Sequence, residues 1–324
     1  MSQTPTACRP NPLIRRRGFL TLGRSLLLAA TWLWPLGLSA AAVPPEDLQR
    51  MQDAAPTAPT LKPTGPRRLL VFTLAKGYIH EATPWGVEAL RLLGERTGAY
   101  AATVSDDPAV FRLESLRAFD AVCFLNTCYT PFTDESLRQN LLDFVRGGHG
   151  YVGIHCAAHT FLDWPEFGRM QGAYSTNHPW VEQVTALVEE PDHPLMQCFP
   201  RGPFKITDEI YQFGDPYSRD HVRVLMRLDP QRTDMSKPDI FRKDGDFGLV
   251  WVRSYGRGRV FFSAFGHEKA VFWNPAILRH YLAGIQFALG DLPADTTPRG
   301  PAAPAQDNLP LGPRPPAGGN VKPD

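Results

Sequence analysis

Residues 133–159 read TDESLRQNLLDFVRGGHGYVGIHCAAH, and the hydrophobic period changes inside them. Leu137, Leu141, Leu142, Phe144 and Val145 recur at helical spacing, with Asp134 and Glu135 in the first turn, where carboxylates complement the helix dipole. Gly147-Gly148 ends that helix, and Tyr151–Ile154 follows as a short apolar run of the kind buried on both faces of a sheet. The strand leaves without a turn glycine, into His155, Cys156 and then His159. A helix feeding a buried strand is half of a βαβ unit. Two imidazoles and a thiol crowded into the exit of that strand raise the question of what they face.

Working outward, the same rhythm repeats. RRLLVFTLA (67–75) is a continuous apolar strand, and Thr83-Pro84 open a helix that Gly98 closes. YAATV (100–104) and AVCFLN (121–126) give two further strands. Beyond His178 the pattern becomes strands with little helix between them. LVWVRSYGRGRVFFSAFGH (249–267) reads as a hairpin turning near Gly256-Arg257-Gly258. Asn274-Pro275 caps a last helix through Ile277, Leu278, Tyr281, Leu282, Ile285 and Leu289, closed by Gly290. The predicted class is α/β: a doubly wound, mostly parallel sheet with a mixed or antiparallel second half. In such sheets ligands bind beyond the carboxyl ends of the strands. The turn after YVGI and the Gly266-His267 pair both fall there, so polar side chains crowd the exit because it faces a crevice.

The flanks read differently. Arg15-Arg16-Arg17-Gly18-Phe19-Leu20, an apolar run from Ser25 to Leu38 and small residues at Ser39–Ala42 have the order of a twin-arginine export signal over residues 1–42. The expected destination is periplasmic or extracellular, with no membrane attachment after cleavage, because the apolar run is short of the roughly 20 residues a span needs. Residues 43–66, rich in Pro, Ala and Thr, are expected to be a linker. Residues 291–324 carry nine prolines and few large apolar side chains, and are expected to be a disordered tail. The folded unit is then 67–290. The full 324-residue chain is 43% hydrophobic and 21% charged with a formal charge of +1, which gives no electrostatic reason to expect nucleic acid as a partner. With Cys8 lost in the signal, Cys123, Cys128, Cys156 and Cys198 remain, and their three full pairings are left open. The oligomeric state is not legible.

The chemistry-bearing residues each have a bland and a functional reading. Gly153-Ile154-His155-Cys156-Ala157 has the form of a strand-to-helix elbow presenting one side chain, here His155, as base, hydrogen-bond donor or metal ligand. Cys156, one residue past the tip, is the packing thiol or, in the least favoured reading, a hydrolase nucleophile. Asp208-Glu209 interrupts the apolar strand FKITDEIYQF, and a carboxylate there needs a partner. Arg259 is the bland partner for Glu209. Glu209 with His155 and His267 gives a ligand set of two nitrogens and one carboxylate that suits zinc or a similar divalent metal with an open position. His159 divides evenly between site wall and helix-cap partner. His178 is the minority candidate of two His-Pro entries, His193 being the structural one. Trp164, Tyr174, Tyr211 and Trp273 stand near these positions, and aromatic faces suit a sugar ring as well as a core.

GYVGIHCAAHTFLDWPEFGRMQGAYSTNHPW (150–180), ITDEIYQF (206–213), GLVWVRSYGRGRVFFSAFGH (248–267) and LAGIQFALG (282–290) together resemble the trehalose-utilisation (ThuA-like) family, over about Arg68 to Gly290. The resemblance implies the three-layer, flavodoxin-like architecture of class I glutamine amidotransferases. It sets His155 at the elbow tip those enzymes give to a nucleophilic Cys, and His267 where their triad His stands. Glu268-Lys269 departs from their His-Pro-Glu, so amide hydrolysis is not expected. The family's Asp-Glu pair is present as Asp208-Glu209, and His178 falls at its His-Pro motif. His159 occupies a position where an acid would be equally at home. The implied substrate is a sugar, from trehalose or a related glycoside processed through keto-sugar intermediates. The expected catalytic set is His155, Asp208, Glu209 and His267. His159, Trp164, Tyr174, His178 and Tyr211 are expected to bind substrate, and His155, Glu209 and His267 to hold any metal. The alternative from another class is a non-catalytic sugar-binding module.

Overall fold

The computed structural model describes residues 43–300. Nine strands form one sheet in the order β2-β1-β3-β4-β9-β8-β7-β5-β6. The first five are parallel: β1 (Arg68–Phe72), β2 (Ala101–Ser105), β3 (Ala121–Leu125), β4 (Gly150–Ile154) and β9 (Gly258–Ser263). Counted along the sheet this half has the 2-1-3-4-5 order of flavodoxin-like folds. β5 (Tyr174–Val188), β6 (Pro203–Gly214), β7 (Arg223–Leu228) and β8 (Gly248–Tyr255) add an antiparallel half. The expected class, with its change of character after His178, is what the chain adopts.

Local sequence accounts for most of the elements. β3 and β4 are buried at every position, as their unbroken apolar runs require, whereas β2 is an edge strand with a largely open face. Helix α2 (Thr83–Thr97) ends in Gly98 at φ 65. A single α-helical turn, α3 (Leu113–Leu116), precedes β3. Asp134 caps α4 (Glu135–Arg146) by accepting from Ser136 and Leu137, and Asn274 caps α6 (Pro275–Leu289) in the same way. α5 (Pro165–Gln171) follows the β4 exit. Helices cover both faces. A Cβ added at Gly150 would meet the Ala288 carbonyl of α6, and one at Gly153 would meet the Gln171 side chain of α5. Three residues apart on a strand, these two positions look in opposite directions.

Two expectations need correction. The segment 43–66 is no plain linker: Pro45–Ala54 forms helix α1, with Met51 buried and Asp47 accepting from the Trp85 indole at 2.8 Å. Further on, the buried Gln286 side chain accepts from Thr60 and donates to Leu61. The tail begins later than expected too. Asp291 pairs with Arg67 at 2.7 Å, Leu292 is buried, and Asp295 pairs with Arg223. The export signal expected over residues 1–42 lies outside the described residues, as does the part of the expected tail beyond 300. Among the described residues no helix is long and apolar enough to cross a membrane.

Candidate functional site

Register sets the site. β4 pairs with β9 so that Ile154 lies opposite Ser263, which carries the next residues, His155 and Ala264, out of the sheet side by side. His155 turns at φ 52, the left-handed region that a β-carbon disfavours, and opens a 3-10 turn over His155–His159. Gly266 allows the close approach: at φ 139, a Cβ there would sit 3.1 Å from that of His155. The elbow inferred from the sequence is therefore formed, with imidazole at its tip.

The His155 ring is buried, and its Nδ1 lies 2.8 Å from the Ala264 carbonyl. A carbonyl only accepts, so Nδ1 carries a hydrogen, and Nε2 is the nitrogen that faces inward. Around that nitrogen lie His80 Nε2 at 3.1 Å, the Tyr211 hydroxyl at 3.1 Å and Glu209 Oε2 at 3.4 Å. His267 Nδ1 is 3.5 Å from the same Glu209 oxygen. One donor atom from each of His80, His155, Glu209 and His267 lies within 4.8 Å of all the others. Ligand atoms around a tetrahedral divalent ion, at about 2.0–2.2 Å each, sit roughly 3.3–3.5 Å apart. The wider separations, up to 4.8 Å, would have to contract around such an ion; the contacts of 3.1, 3.4 and 3.5 Å fit it. So does the outer shell, because a ligating histidine commonly donates its other N–H to a carbonyl.

Charge states differ across the cluster. Burial, then the neighbouring His155 and His267, lowers His80 to about 2, so its imidazole is neutral with one nitrogen lone pair to offer. Its buried Nδ1 and that of His267 have no hydrogen-bond partner. Burial disfavours charge on Glu209, but the His155 and His267 rings beside it outweigh that and hold the carboxyl well below its ordinary range. Burial likewise opposes a proton on His267, and Glu209 overrides it in the raising direction.

The remaining expected residues divide. His178, 42% exposed, reaches Glu209 Oε1 at 3.1 Å from the rim. Tyr211 stacks on His155 with centroids 4.7 Å apart, and burial pushes its phenol well up. Asp208 stands behind the cluster: its fully buried carboxylate accepts from the backbone of Gly266, His267 and Glu268 at 2.8–3.0 Å. Glu209 has imidazole partners rather than Arg259, which donates to Ala288 and Gly148 carbonyls. His159 hydrogen-bonds Ser175 at 2.9 Å and meets Tyr129 edge-on; burial, then His178, lowers it. Trp164 and Tyr174 are engaged elsewhere. The indole packs on Phe161 and Phe167, and the Tyr174 hydroxyl is shared among Phe161, Trp164 and Gly168 backbone atoms. Cys156 gives its hydrogen to Cys128 and burial pushes its thiol well up, the reverse of an activated nucleophile. His80 is the member the sequence reading missed. Its signal was position, since it lies in the loop leaving the carboxyl end of β1, the same edge that carries His155 and His267.

Comparison with known proteins bears on the fold and the family. Residues 68–288 match the ThuA family, described as trehalose utilisation. A crystal structure of a ThuA-like protein from Bacteroides uniformis superposes with a TM-score of 0.58 at 21% identity, covering 72% of this chain and 93% of that one. One from Parabacteroides merdae gives 0.54 at 20% identity, covering 71% and 93%. Comparison with curated proteins gives no match.

Proposed function

Because the chain belongs to the ThuA, trehalose-utilisation family, we propose that it is an exported carbohydrate-processing enzyme whose His80, His155, Glu209 and His267 hold one divalent metal. The observation that carries this reading is the clustering itself: one donor atom from each of the four side chains lies within 4.8 Å of the others, while the second ring nitrogen of His155 is taken by the Ala264 carbonyl. A metal held by these residues would polarise a sugar carbonyl or activate water. The chain's own groups supply the rest. Asp208 holds the backbone that presents His267, Tyr211 offers a hydroxyl beside His155, and His178 waits at the rim for a proton released or required by the sugar. The twin-arginine order of residues 15–20 supports export of the folded, metal-loaded protein.

Elemental analysis of the purified protein, followed by chelation and titration with Zn²⁺ or Mn²⁺, tests the centre. One ion per chain is expected, with affinity falling at least about tenfold in His80→Ala and in Glu209→Gln. Trehalose, other disaccharides and their keto derivatives, offered with and without metal, test the chemistry. Full turnover in chelator would replace the metal with proton transfer by the same residues. Sugar binding that survives the double change His155→Ala with His267→Ala, without turnover in either protein, would establish a binding module instead.

A further inference from the structure

Two thiols lie beneath the cluster and take no part in that chemistry. Cys128 follows the β3 exit and Cys156 follows His155 in the elbow; they are 2% and 3% exposed. The Cys156 thiol donates to Cys128 Sγ at 3.1 Å, and neither is disulfide-bonded. The backbone on either side fixes them in place. The Thr127 and Thr160 hydroxyls meet at 2.7 Å, Tyr129 N–H donates to the His159 carbonyl, and Phe161 N–H donates to that of Tyr129. Ala75 and Cys128 form an isolated parallel bridge, as do Tyr129 and Thr160. The left-handed residues Asn126 and Tyr129 flank Cys128, and His155 precedes Cys156. The other two described thiols are placed apart, Cys123 inside β3 and Cys198 against the Leu195 carbonyl.

We propose that Cys128 and Cys156 are a redox-closing dithiol whose disulfide staples the loop after β3 to the turn that carries His155. Closure needs the sulfurs to approach to about 2.05 Å, a shift of roughly 1 Å from their present contact. With a hydroperoxide as oxidant, the Cys128 sulfur, which accepts the Cys156 hydrogen, attacks the peroxide, the O–O bond breaks, and a sulfenic acid forms as water or an alcohol leaves. The second sulfur then attacks the sulfenyl sulfur, the S–O bond breaks, and water leaves with the remaining thiol hydrogen. Two thiols are oxidised and one peroxide is reduced. A dithiol reductant reverses the bond by exchange. The preordered loops favour this pair over mixed products, because the partner sulfur is already in contact when the sulfenic acid forms. Cys156 is one peptide bond from His155, so the staple pins the backbone of the elbow.

The test uses the full chain, folded, treated with hydrogen peroxide, then denatured, alkylated and mapped without reduction. The expected product is a peptide pair joined through Cys128 and Cys156, lighter by two hydrogens and restored by dithiothreitol. The oxidised protein should melt a few degrees higher than the reduced one, and that shift should vanish in Cys128→Ser while persisting in Cys123→Ala with Cys198→Ser. Two free thiols at these positions after treatment, sulfinic acid on either, or a link through Cys198 would overturn the proposal. The mapping needs no variant, and its outcome is independent of whether the cluster above binds metal.

Discussion

His155 holds a backbone conformation that costs on the order of 1–2 kcal/mol for a residue with a β-carbon. The Ala264 hydrogen bond and the stacked Tyr211 ring oppose that cost, and they also set the ring's direction. Asp208 performs the matching task for His267, through backbone amides rather than the imidazole. Asp208→Asn would keep the shape but turn an amide NH₂ toward at least one of three N–H donors. Unfolding in urea should therefore show a loss of about 1–3 kcal/mol, and Zn²⁺ affinity should fall although no ligand has changed. Unchanged affinity would mean that the Gly266–Glu268 loop is held by other contacts. The sequence made His155, Glu209 and His267 legible because each interrupts or ends an apolar strand, where a polar side chain needs an explanation. His80 has no such contrast, since GYIHEATPW (77–85) mixes polar and apolar residues with no strand period, and a histidine there interrupts nothing. Only the geometric rule about strand ends, applied to β1 as it was to β4 and β9, would have found it.

At the scale of elements, period and caps were enough wherever the stabilising contacts are local. Thr83-Pro84, Asp134 and Asn274-Pro275 mark helix starts, and Gly98 and Gly290 mark ends, within a residue of where they fall. Helix α1 was hidden because its support is long-range: PEDLQRMQDA has two large apolar residues, and Asp47 reaches Trp85 in α2. Close packing is equally invisible along the chain. Gly284 in α6 sits where an added Cβ would come within 2.2–2.5 Å of the Phe261 ring of β9. Helix propensity alone makes Gly→Ala favourable by about 1 kcal/mol. Here the clash should win, because Phe261 is fully buried and has no free space to rotate into. Gly284→Ala is expected to destabilise by about 1–3 kcal/mol in urea unfolding. A gain in stability would show that α6 can move off the sheet at little cost.

For the whole molecule, pH adds up the titrating groups that folding has moved. Burial lowers His280 to about 4; its Nδ1 donates to the Leu195 carbonyl at 3.2 Å while its Nε2 lies buried without a partner. Burial also lowers His149 and His193. A group whose folded pKa lies below its unfolded one binds fewer protons in the native state, so stability falls as pH drops from the unfolded value toward the folded one. The window for His280 runs from about 6.5 down to about 4. Carboxylates act lower: Asp295, lowered to about 2 chiefly by its bonds to Thr297 and also by Arg223, contributes stability that is lost only below about pH 4. Acid unfolding should accordingly have a histidine-driven limb before a carboxylate-driven one. His280→Asn retains a donor for the Leu195 carbonyl but has nothing to titrate, and the cavity it leaves lowers stability equally at every pH. Its unfolding free energy should therefore fall between pH 7 and pH 5 by roughly 2 kcal/mol less than that of the unaltered chain. Urea titrations at pH 7, 6 and 5 measure that difference in slope directly. Parallel curves for the two proteins would mean that His280 takes up its proton in the folded state as readily as in the unfolded one, against its burial beside Phe199 and Phe261.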